Sequence, residues 1–236
     1  MQDKNLVRIG GFSALLYVAL SVVGNVMHTP MPREPADMLH TIAHSGPWIV
    51  AHIILTSTYF VVVPMLIGIT ASFREETTVA GIATPFGKVP NIIRIAVPLV
   101  LVCAAVGVIQ ISTHLTIFHA LAMKYAAATD PAVKDNIILL YQVMWPFNVA
   151  LEFAHLFVIY LVILAISIAM FHEDIYPKWV AWLGVVGGVV AETGLIWGEI
   201  ILGGSGVTGS LIFGVSLLPM MVWILAVAII LIRRTK

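Results

Sequence analysis

The chain is laid out as six long apolar runs, residues 9–27, 48–73, 92–122, 145–171, 179–202 and 210–232, separated by segments rich in proline, glycine and charge. Each run supplies the roughly 20 residues that a helix needs to cross a hydrocarbon layer of about 30 Å. The pattern predicts an all-α, polytopic integral membrane protein, a single domain over residues 1–236 with six transmembrane helices and no large soluble insertion. The first run follows Lys4 and Arg8 as a signal peptide would, but NVMHTP at its end lacks a small-residue cleavage pattern, so it is read as a span. Two connecting segments carry structure of their own. Pro35 suits a first helical turn and Ser45 with Pro47 reads as a stop, which predicts a short interfacial helix over residues 36–44. The run from Ile137 to Phe171 is too long for one perpendicular crossing, so its first turns are expected to project outward, with Pro146 as a kink. Gly184 and Gly188 have the small-xxx-small spacing of close helix packing.

Composition sharpens the environment. A chain that is 60% hydrophobic and 10% charged, with mean hydropathy +1.03, has too little polar surface to coat a water-soluble particle, so the lipid bilayer is its first partner. Twelve basic and twelve acidic residues cancel, which argues against nucleic acid as a partner. Cys103 stands alone, removing intrachain disulfides, CxxC redox chemistry and thiolate zinc sites together. The eight histidines are the remaining conspicuous chemistry.

Charge also orients the spans. With the N-terminus inside, the inner segments hold Lys4, Arg8, Arg74, Lys88, Arg94, Lys178, Arg233, Arg234 and Lys236, and the outer ones hold Arg33, Lys124 and Lys134. That excess predicts a multi-pass protein of the cytoplasmic membrane with both termini cytoplasmic. Measured from the outer ends at about 1.5 Å per residue, His52 lies about 8 Å deep, His114 about 12 Å, Glu152 about 10 Å, His155 about 14 Å and Glu192 about 15 Å. Seven of the eight histidines fall in the outer half, and His172 alone is on the inner side. Tyr141, Trp145, Asn148, Glu152 and His155 form one stripe at three- and four-residue steps; Gln110 and His114 form another; Glu192 and Glu199 share a face.

Ionisable residues at such depth mark a functional site by default. A metal reading takes Glu152 and His155, three apart on one helix, as carboxylate and imidazole to one zinc, iron or copper ion, with Glu192, His114 and His52 completing the shell. An alternative surface site gathers Asp37, His40 and His44 on the short helix, with His28 nearby. A second reading needs no metal: Glu152 and Glu192 act as acid and base with His114 and His155 on a small hydrophobic or lipid-like substrate entering from the outer leaflet. A proton-relaying transporter would use the same residues, though no inverted repeat is evident. A third reading pairs His52 with His114 or His155 about one haem b. The bland account is a hydrogen-bond network that holds helices together, in a structural subunit of a membrane assembly.

The opening VRIGGFSALLYVALSVVG, the six-span layout and IYPKWVAWLGVVGGVV at the start of the fifth span resemble a broad prokaryotic family of small membrane proteins catalogued as domain of unknown function 4386. The resemblance runs over most of the chain, and the turn Pro177–Trp179 followed by Leu183 and Gly184 is its most recognisable part. It implies six helices in the cytoplasmic membrane and carries no activity or site residues to transfer; the ionisable cluster is not a motif of that family. The chain has no desaturase-type His boxes, no HExxH and no P-loop.

Overall fold

A computed structural model describes residues 4–28, 31–73, 78–79, 82–83, 91–172, 175–201 and 207–235. Its helices are α1 (Lys4–Met27), α2 (Pro35–His44), α3 (Trp48–Ser72), α4 (Asn91–Thr113), α5 (His119–Ala127), α6 (Pro131–Met170), α7 (Lys178–Leu195), α8 (Val207–Ser216) and α9 (Leu218–Arg234). A π-helical turn, His114–Phe118, joins α4 to α5 without a break, and a second, Ile196–Ile201, continues α7. The remaining regular structure among the described residues is a two-residue antiparallel ladder pairing Thr78 with Ala83 and Val79 with Ile82. Among the described residues six helices are long and apolar enough to cross a membrane, one for each apolar run of the sequence. The fourth begins at Pro131 rather than at 145, because Asp130 caps its first turn by accepting from the Ala132 amide at 2.9 Å and Pro131 suits the first helical position.

The spans pack in chain order as a closed circuit: α1 on α3, α3 on α4, α4 on α6, α6 on α7, α7 on α9, and α9 back on α1. Contacts show each neighbouring pair to be antiparallel. Gly10 of α1 meets Gly68 near the end of α3, while Gly24 meets Leu55 near its start. A β-carbon on Gly10 would stand 2.5 Å from the Gly68 Cα, so only glycine admits this approach of two backbones. Gly184 and Gly188 likewise seat α7 against Ser167 and Leu164 of α6. Large apolar side chains such as Phe60, Val102, Leu139 and Trp182 are more than half exposed, the surface of a bundle solvated by lipid.

Two apolar clusters fill the interior. The larger lies among α1, α3, α4, α6, α7 and α9. The smaller joins Met38, Leu39 and Ile42 of α2 to Trp48, Phe118, Ala122, Ile137 and Tyr141. With 40 residues, α6 is about 60 Å long, roughly twice a hydrocarbon core, and its first turns rise with α5 to meet α2. These three elements form a lid over one end of the bundle, called below the histidine end.

Candidate metal centre

Three imidazoles meet at the histidine end. His28 follows the last turn of α1, His52 stands on the second turn of α3, and His114 opens the π-helical turn after α4; their ligand atoms all lie within 4.8 Å of one another. His52 and His114 are buried, and His28 is half-buried. Local sequence explains each position. On α1 the buried Ser21 and Gly24 form the face turned to α3, and His28, four residues on, continues it past the helix end. The Trp48 indole N–H donates to the His114 carbonyl at 3.3 Å, anchoring the wide turn from α3. Such one-turn departures from α geometry recur at functional sites, where they re-aim a side chain.

Hydrogen bonds fix how the rings face. His52 Nδ1 donates to the Trp48 carbonyl at 2.7 Å, which leaves Nε2 with its lone pair, 3.1 Å from His114 Nδ1. A backbone carbonyl on the far nitrogen is the usual support of a metal-bound imidazole. The separation suits an ion, since two nitrogens at about 2.0–2.1 Å from a tetrahedral zinc stand about 3.3 Å apart. His114 Nε2 faces the Asn148 side-chain nitrogen at 2.8 Å and that of Gln110 at 3.3 Å. Gln110 in turn donates to Glu152 Oε2 at 3.4 Å, and Thr113 donates to Asn148 Oδ1. Aromatic rings close the surroundings: Trp48 stacks on His114 with centroids 5.9 Å apart, Phe118 meets the same ring edge-on at 5.3 Å, and Trp145 lies 6.1 Å away. An apolar shell of this kind governs solvent access and strengthens the electrostatics inside it.

The other sequence candidates are distributed differently. His28, grouped by the sequence with the surface set, joins His52 and His114 instead. Glu152 stands behind His114, reached through Gln110 on the side away from His52. His155 donates from Nδ1 to the Leu151 carbonyl at 2.7 Å and accepts the Tyr59 hydroxyl at Nε2 over 2.6 Å. That pair sits seven residues beyond His52 on α3 and beyond Asn148 on α6, about 10 Å further into the bundle. Glu192 on α7 turns both carboxylate oxygens inward, where neither has a hydrogen-bond partner among the described residues. The side chain of Glu199 lies outside the described residues. On α2, His40 and His44 stack with centroids 4.1 Å apart, His44 donates to the His40 carbonyl at 2.8 Å, and both are exposed, as is Asp37. Direct contact between His52 and His114 leaves no slot for a macrocycle between them, and His155 is turned to Tyr59, so the haem b pairing of His52 with either does not fit the geometry.

Sequence reading passed over Tyr59 and gave Asn148 no role in the site, and both had a signal: His52 to Tyr59 and Asn148 to His155 are equal seven-residue steps on facing helices. Compared with protein families, curated proteins and solved structures, the chain finds no match in any of the three.

Proposed function

We propose that this chain is a metal-binding protein of the cytoplasmic membrane, in which His28, His52 and His114 hold one divalent transition-metal ion: zinc, iron or copper. The observation that carries the reading is the approach of His52 Nε2 and His114 Nδ1 to 3.1 Å, with a third imidazole within 4.8 Å and a backbone carbonyl on the outer nitrogen of His52. Three neutral imidazoles satisfy the ligand preferences of these metals and leave a coordination position open, the arrangement of catalytic rather than structural sites. The chemistry that such an ion would supply, held by His28, His52 and His114, is Lewis-acid polarisation or a lowered pKa of a bound water. The aromatic shell of Trp48, Phe118 and Trp145 favours a small hydrophobic or lipid-derived substrate at that position. Glu152, joined to His114 through Gln110, is the carboxylate nearest in the network for acid/base work; Glu192 and His155 lie deeper in the bundle.

Orientation belongs to the same proposal. The excess of basic residues at the end opposite the histidines sets both termini in the cytoplasm, the metal centre in the outer half of the bilayer and α2 along the outer surface. The resemblance to the family of domain of unknown function 4386 would agree with six helices in that membrane and adds no chemistry.

The test is elemental analysis of the full-length protein purified in detergent, with cobalt(II) as a spectroscopic probe. Wild-type protein is expected to hold about one equivalent and to give the visible bands of a nitrogen-ligated tetrahedral or five-coordinate ion. His52→Ala and His114→Ala are expected to lose both, whereas Glu152→Gln retains them. Uptake by wild type indistinguishable from that of the double variant would overturn the reading.

A further inference from the structure

Counting hydrogens around His114 exposes a second layer with two arrangements. The side-chain nitrogens of both Asn148 and Gln110 point at His114 Nε2, so that nitrogen is the acceptor and Nδ1 carries the hydrogen, donated to His52 Nε2 across 3.1 Å. This state uses up the two lone pairs that an ion would need. Thr113 is meanwhile oversubscribed: its one hydroxyl hydrogen faces both the Gln110 carbonyl at 2.6 Å and Asn148 Oδ1. Turning the Asn148 amide over resolves the conflict at Thr113 and leaves the Gln110 side-chain nitrogen, 3.3 Å from His114 Nε2, with its hydrogens for Glu152 alone. Its oxygen then accepts from His114 Nε2–H, its nitrogen donates to Thr113 Oγ1, and Thr113 keeps its hydrogen for the Gln110 carbonyl. His114 Nδ1 and His52 Nε2 are left as two bare lone pairs facing each other, an arrangement that repels unless a cation sits between them. Gln110 keeps its bond to Glu152 in both arrangements.

We propose that Asn148, braced by Thr113, is the positioning residue of this centre: its side-chain amide sets which ring nitrogen of His114 carries the hydrogen, and it turns over when the ion binds. The proposal rests on the reading of His28, His52 and His114 as metal ligands. It explains why Asn148 is buried to 1% exposure although it touches none of the three ligand nitrogens that face one another. An aspartate there would offer His114 acceptors only, so the metal-ready tautomer would be permanent. Partners of this outer kind change metal affinity by about 10–100-fold.

Two measurements on full-length protein in detergent, with zinc(II) and cobalt(II) as the probes, test it. Long-range proton–nitrogen spectra of histidine-labelled protein are expected to find the His114 hydrogen on Nδ1 in metal-free wild type, and on Nε2 both in zinc-loaded wild type and in metal-free Asn148→Asp. Cobalt titration is expected to show Asn148→Asp binding about tenfold more tightly, and Asn148→Leu and Thr113→Val about tenfold more weakly. Thr113→Val touches no imidazole and serves if the Asn148 variants fold poorly; an unchanged affinity in it overturns the bracing. A wild type that takes up no cobalt overturns the metal reading and, with it, the turning over of the amide. A wild type that takes up cobalt, while Asn148→Asp leaves the hydrogen and the affinity unmoved, overturns this inference alone.

Discussion

The two ends of the bundle are held together by different means. At the end carrying the chain termini, α1, α3, α6 and α9 meet through Val7, Leu66, Ile69, Ile166 and Leu231, all buried, and through the backbone contact of Gly10 with Gly68. At the histidine end α3, α4 with its π-helical turn, and α6 are joined by side-chain hydrogen bonds: His52 to His114, His114 to Asn148, Gln110 to Glu152, and Tyr59 to His155. Lipid is as apolar as leucine, so helices in a bilayer adhere by close packing and by polar contacts rather than by the hydrophobic effect. The glycine end is held chiefly by close packing. The polar end has groups in excess of what adhesion needs, since one hydrogen bond between spans contributes on average only about 0.6 kcal/mol. The comparison separates the half that makes the fold from the half that is free for chemistry.

Four variants test that separation. Gly68→Leu should have the largest effect: the new side chain enters the Gly10 backbone, overpacking that already costs about 1–3 kcal/mol where only extra methylenes are added, and no folded, monodisperse protein is expected on size exclusion. His114→Ala should keep the fold, with a loss of at most about 2 kcal/mol in a thermal or denaturant assay, and lose metal uptake altogether. If it unfolds as Gly68→Leu does, the histidine end is structural and the contrast collapses. Glu192→Met is expected to raise stability by about 1–3 kcal/mol, because it removes two enclosed oxygens without partners among the described residues; a fall in melting temperature would show that the carboxylate is satisfied. The smallest effect belongs to the double variant His40→Ala, His44→Ala, which is expected to leave metal stoichiometry unchanged because those rings pair with each other on the exposed face of α2.

The six spans and the short helix between the first two were legible because each rests on local rules: run length, Pro35 in a first turn, Ser45 and Pro47 as a stop. Their common level along the helices was legible too, in that His52, His114, Asn148 and Glu152 do come together. What periodicity on one helix does not tell is which helices are neighbours, and hence which residues at equal depth touch. Glu152 and His155 share a stripe, yet Glu152 reaches α4 through Gln110 while His155 reaches α3 through Tyr59, because α6 lies between two partners. His28 was placed on the surface because it lies beyond the apolar run; only the packing of Gly24 against Leu55 shows that the end of α1 leads into the start of α3. The π-helical turn at His114–Phe118 has no sequence signature comparable to a proline or a cap, and it arises with the Trp48 bond from another helix.

Closure of the circuit by α9 against α1 bears on how the protein is made. Gly11 rests on Ala228 and Ile232, so one flank of α1 has its partner more than two hundred residues later in the chain. Synthesis delivers helices from the N-terminus onward. Until the last span is inserted, α1 is held by α3 alone and α7 by α6 alone, with Gly11 and Gly187 facing lipid. A chain halted after α7 therefore carries the histidine cluster in an open, unfinished ring, so the ribosome finishes the cluster before it finishes the container.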